Sequence, residues 1–155
     1  MSSNSIPEVT DRDVFITRSF AAPVDVVWKF WTQPELLAQW FGPEGITVSP
    51  DSIAIEAREG GSWNLTMKDD AGEYPITATI TKLVLNEYLE MTLRAESGAG
   101  LLENEILRIQ FHDHGEKTRL TLHQGPFAPE MRDMTRDGWN QSFQKLDTIL
   151  EGAEA

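Results

Sequence analysis

Cysteine is absent from this chain of 155 residues. Disulfides, thiolate metal sites and cysteine nucleophiles are therefore excluded. Positive charge is scarce: 13 Lys and Arg stand against 25 Asp and Glu, for a net charge of -12. Such a surface repels phosphate backbones, so a nucleic-acid partner is not expected. It opposes an anionic membrane surface for the same reason. No apolar run is long enough to span a bilayer. The first residues, MSSNSIPEVTDRD, have neither a basic start nor an apolar stretch. No signal peptide is expected, and a cytoplasmic location follows by default.

What the chain has in quantity is tryptophan. Trp28, Trp31, Trp40, Trp63 and Trp139 come from separate segments that could converge on one interior. The length suits one domain with a real core. Residues 1–11 read as a loose polar N-terminus and residues 12–152 as the domain.

Asp13 to Phe20 reads as a strand, with Val14 and Ile16 alternating against Phe15 and Thr17. Pro23 opens a short helix to Trp31, with Val24, Val27, Trp28 and Trp31 on one face. Pro34 opens a second, PELLAQWF. Gly42-Pro43-Glu44-Gly45 then forces a turn. From Ile46 on, the pattern alternates with a period of two. Short strands are expected at 46–48 and 53–57, and longer ones at 63–68, 74–85, 89–93, 105–112 and 117–123. The glycine-rich stretch AESGAGLLE, 95–103, reads as a mobile loop.

The stretch from Pro129 to Glu151 changes period. Met131, Met134, Trp139, Phe143, Leu146 and Ile149/Leu150 are spaced mostly by three or four, which is a helical stripe. Arg132, Asp133, Arg136, Gln141, Lys145 and Asp147 form the wet side. At about 1.5 Å per residue the helix spans roughly 30 Å, the width of a small domain. Gly152 is the expected stop. Gly138 sits oddly inside it, at a cost of about 1 kcal/mol. It reads either as close packing against a strand or as room for a ligand beside the Trp139 indole. Helices segregated from consecutive antiparallel strands give an α+β fold. A curved antiparallel sheet wraps around the long C-terminal helix, with two short helices after the first strand. Large side chains on both walls then tend to leave an apolar pocket between them.

Several motifs resemble the START-like helix-grip (SRPBCC) superfamily. They are Arg18-Ser19-Phe20-Ala21-Ala22-Pro23, Val27-Trp28-Lys29, Thr32-Gln33-Pro34-Glu35, Trp40-Phe41-Gly42-Pro43, Gly60-Gly61-Ser62-Trp63, and Gly138-Trp139 with Leu146 and Leu150. More narrowly, the chain is similar to the branch containing the C-terminal domain of activators of the heat-shock-protein-90 ATPase. The resemblance covers about residues 13–152. It implies the helix-grip fold. For function it implies a lipid or small-molecule binder, a polyketide cyclase, or a partner of a heat-shock ATPase.

The side chains capable of chemistry are few. His112-Asp113-His114 puts two imidazoles close together, but at a tight turn and without an obvious third ligand. His123 is out of phase with Leu120 and Leu122 and should face solvent. Glu105 is in phase with Leu107, Ile109 and Phe111, which points it toward a cavity mouth where burial would raise its pKa. Tyr74 is the other titratable candidate. The expected function is binding of a hydrophobic or aromatic small molecule. A co-chaperone-like regulator and a cyclase- or dehydratase-like enzyme are the alternatives. The candidate aromatic wall is Trp31, Trp40, Phe41, Trp63, Trp139 and Phe143. The strands would add Leu65, Met67, Ile76, Ala78 and Met91, together with Glu105, Leu107, Ile109 and Phe111. No catalytic residue, metal ligand or cofactor is assigned. The Gly42–Gly45 turn and the 95–103 stretch are the candidate gates.

Overall fold

The computed structural model describes residues 8–97 and 100–154. Strand β1 (Val14–Phe20) leads into helices α1 (Val24–Thr32) and α2 (Pro34–Leu37). Two short strands follow, β2 (Thr47–Val48) and β3 (Ala54–Ile55), separated by a 3-10 turn at Pro50–Ser52. The meander β4 (Trp63–Asp69), β5 (Gly72–Val84), β6 (Tyr88–Ser97), β7 (Gly100–His114) and β8 (Lys117–Gly125) comes next, and α3 (Pro129–Glu154) closes the order. The sheet runs β1-β8-β7-β6-β5-β4-β2, with β3 paired to β4. Each of these pairs is antiparallel. This is an α+β helix-grip: a curled sheet holding one long helix.

Period-two alternation creates the inner face. Ile76, Ala78 and Ile80 of β5, Met91 and Leu93 of β6, and Leu107, Ile109 and Phe111 of β7 are all buried. They stand beside Leu120 and Leu122 of β8 and meet Phe143, Leu146 and Leu150 of α3. The short helices close one end, where Trp28 and Trp31 of α1 pack edge-on to Phe111 at 5.0 and 6.4 Å between ring centroids.

Four expectations are corrected. Most of the 95–103 stretch is strand: Ala95 pairs with Leu102, Glu96 with Leu101 and Ser97 with Gly100. Only residues 98 and 99 of it lie outside the described residues. Pairing with a neighbouring strand outweighs the low strand propensity of glycine. The second helix is a single turn, Pro34–Leu37, not the full PELLAQWF. Helix α3 continues past Gly152 to Glu154, since glycine tolerates a helix end without compelling one.

The fourth is His123, which is 3% exposed rather than solvent-facing. It lies on the outer face of the sheet, but charged neighbours close over it. Its Nε2 is 3.2 Å from Asp13 Oδ2 and its Nδ1 is 3.5 Å from Arg108. The line continues through Arg108 to Glu90 at 3.4 Å and from Glu90 to the Tyr88 hydroxyl at 2.6 Å. Alternation marks a face as outward; it does not show that long polar neighbours will bury it.

Candidate ligand pocket

A cavity of about 230 Å³ lies between the inner face of the sheet and the N-terminal half of α3. Strand periodicity sets one wall. Trp63 and Met67 are four apart on β4, Leu93 and Ala95 two apart on β6, and Ile76 and Leu107 stand on the strands beside them. Helical periodicity sets the opposite wall, where Met131, Thr135, Gly138 and Ser142 succeed one another at steps of three and four. Three of these four are small. A Cβ placed on Gly138 would meet only Pro43 Cγ, at 4.0 Å, so this glycine borders open space rather than a strand. The Ser142 hydroxyl donates back to the Gly138 carbonyl at 3.0 Å, which spares the cavity an unsatisfied donor.

The third wall is the turn after α2, which contributes Phe41, Gly42 and Pro43. Helix α3 holds it in place. The Lys145 ammonium donates to the carbonyls of Gly42, Pro43 and Ile46 at 2.8, 3.2 and 3.3 Å. Burial pushes the pKa of this lysine down. One helical turn earlier, Gln141 Oε1 accepts from the Glu44 amide at 2.9 Å. Gly42 is required at its position. Its φ is +100°, and a Cβ there would come within 2.8 Å of Ile46 Cγ2.

Two tryptophans are tied at their polar edges and turn their rings to the cavity. Trp63 Nε1 donates to the Trp31 carbonyl at 2.9 Å, and Trp139 Nε1 donates to Gln124 Oε1 at 2.7 Å. Phe41 stands edge-on to both, 5.4 Å from Trp63 and 5.5 Å from Trp139. Gln124 supplies the polar end. An indole N–H only donates, so the oxygen of Gln124 must face Trp139. Its Nε2 then donates to Glu105 Oε1 at 3.2 Å. Glu105 is 3% exposed. Burial pushes its carboxyl up to about 7, against a smaller lowering by the bond from Gln124.

The sequence pattern of the family described as Activator of Hsp90 ATPase homolog 1-like protein matches residues 21–151. The chain belongs to this family.

Solved structures agree on the fold of this AHSA1-like domain. A protein from Nitrosomonas europaea is 23% identical, with 95% of this chain and 99% of that one covered and a TM-score of 0.78. The AHSA1 protein from Silicibacter pomeroyi is 23% identical, covering 90% and 97% at a TM-score of 0.77. A protein from Chromobacterium violaceum is 22% identical, covering 92% and 99% at 0.76. No curated protein matches the sequence at a significant level.

In this AHSA1-like chain the structure divides the residues expected around the pocket. Phe41, Trp63, Met67, Ile76, Leu107 and Trp139 line the cavity. Trp31, Trp40 and Phe143 pack behind them as core, with Leu65, Ala78, Met91, Ile109 and Phe111. Glu105 lies one hydrogen bond behind the wall, through Gln124. Tyr74 is not part of the lining; its hydroxyl donates to Asp69 at 3.0 Å at the β4–β5 hairpin. His112 lies 3.4 Å from the Thr121 hydroxyl on the outer face, where burial lowers its pKa. Among the described residues no three His, Asp or Glu side chains converge as a metal site. No helix among them is long and apolar enough to cross a membrane.

The sequence reading missed Gln124, Leu93, Ala95, Met131, Met134, Thr135 and Ser142 as cavity lining, and left Gly138 open between close packing and ligand room. For Thr135 and Ser142 a signal existed: they share one helical stripe with Met131 and Gly138, and a run of small residues along an inward stripe leaves space. Gln124 had none, because its partners come from β7 and α3.

Proposed function

We propose that this AHSA1-like domain binds a small aromatic molecule between its sheet and α3. The observation that carries the reading is an apolar cavity that the packing of the chain leaves open against two anchored indoles. Size narrows the occupant. A cavity of about 150 Å³ holds benzene, so one of about 230 Å³ suits one or two fused rings and is too small for a sterol or a long acyl chain. Met131 and Met134 at the rim can adjust their shape to different ligands.

A thermal-shift series with indole-sized probes tests this, alongside native mass spectrometry of the freshly purified protein. A bound ligand at about 100 times its Kd raises stability by about 2.7 kcal/mol. Trp139→Ala should abolish the shift, with circular dichroism used to establish that the variant is folded. Absence of any shift across the series, together with a clean apo mass, would remove the proposal. The family match favours a second reading, in which the domain acts on a heat-shock ATPase. An unchanged ATPase rate on titration of the chaperone would remove that one.

A further inference from the structure

We propose that the occupant of this cavity carries a positive charge: a small arylalkyl ammonium, with its rings against Phe41, Trp63 and Trp139 and its ammonium at the Gln124–Glu105 end. This rests on the cavity being a binding site. The argument begins with the position of Glu105. On β7 it is followed in phase by Leu107, across the ladder it pairs with Leu93, and its hydrogen-bond partner is Gln124. All three of those residues line the cavity. A carboxylate in such surroundings is costly unless a cation accompanies it. Among the described residues, none forms an ion pair with Glu105. Lys145 is committed to three carbonyls of the wall turn and is not part of the lining.

The hydrogen-bond polarity of this end points the same way. Trp139 uses one lone pair of Gln124 Oε1, and the Gln124 amide donates to Glu105. A carbonyl oxygen has a second lone pair. Toward an occupant this end therefore offers an acceptor, the oxygen of Gln124, with the Glu105 carboxylate one hydrogen bond behind it, which suits an N–H donor that carries positive charge. Aromatic faces attract cations through the ring quadrupole, and three aromatic side chains border the space. The net charge of -12 adds a long-range preference of the same sign. An anionic arene would meet the opposite of each of these features.

Calorimetry with three probes of one ring system decides the matter: tryptamine, indole and indole-3-propionate at one ionic strength. The expected order is tryptamine tightest, by about tenfold over indole, and the propionate weakest. Glu105→Gln should shrink the ratio between tryptamine and indole toward one. The wild-type ranking alone is decisive, so a poorly folding variant does not stall the test. Equal binding of the three, or tightest binding of the acid, overturns the charge assignment and leaves the pocket standing as a binding site. Binding of none overturns both.

Discussion

The aromatic cluster of this AHSA1-like domain has two halves built from the same residue types, and only one of them is hollow. In the closed half, the Phe143 ring meets Phe20 at 5.5 Å, Trp40 at 5.9 Å and Trp31 at 6.4 Å. In the open half, Phe41, Trp63 and Trp139 face a cavity. The difference comes from α3. Toward its C-terminus the inward positions are Phe143, Leu146 and Leu150, all buried and space-filling. Toward its N-terminus the stripe is Met131, Thr135, Gly138 and Ser142, three of them small, beside the Trp139 indole. One helix, lying against one sheet, packs at one end and leaves room at the other because of its residue sizes. Aromatic content says little about a pocket; the volume of the residues opposite decides it.

The largest expected effect falls in the closed half. Phe143→Ala removes the ring that joins four others and should cost about 3–5 kcal/mol in denaturant unfolding. A cost below about 1 kcal/mol would mean that the two halves are equally loose, and the comparison would fail.

The next effect is at the polar end of the open half. The Glu105 carboxyl moves from an ordinary 4.5 to about 7 in the fold. A raised carboxyl favours the protonated fold, so its contribution is complete below about 4.5 and is lost as pH rises through about 7. Holding this group ionised at pH 8 then costs up to about 3 kcal/mol. Glu105→Gln keeps an acceptor for Gln124 and carries no charge. The variant should therefore be more stable than the wild type at pH 8, with the gap closing toward pH 5. Denaturant unfolding at the two pH values checks this. A gap independent of pH would show that Glu105 is not desolvated by the cavity wall.

The smallest effect is the sharpest. Gly138→Ala adds a methyl group facing the cavity, with only Pro43 Cγ at 4.0 Å. Helix propensity predicts a gain of about 1 kcal/mol in stability. Binding of an indole-sized probe should weaken in the same variant. A stabilised protein with weaker binding would separate the cavity from the core in a single substitution. A destabilised one would place Gly138 in the closed half after all.

Much of the fold was legible in the chain. The change of period at Pro129, from two to three and four, marked the meander and the gripping helix. Gly42 and Pro43 marked a turn that the structure places against α3. Two of the errors show what the pattern leaves out. His123 read as exposed because alternation assigns a face, yet Asp13 and Arg108 close over it from other segments. The 95–103 stretch read as a loop because of its glycines, whereas its two halves pair with each other as the end of the β6–β7 hairpin, Ala95 opposite Leu102.

The pocket was legible only as a class of residues. The sequence alone determined the inward set, the acidic charge and the absence of thiol chemistry, since these follow from periodicity and composition. Tertiary structure decided which inward residues border space and which fill it, because a void depends on the summed volumes of side chains from β4 to β8, the turn at 41–43 and α3. It also decided that Gln124 joins Trp139 to Glu105. That link brings together residues from three separate elements, and no local pattern encodes it.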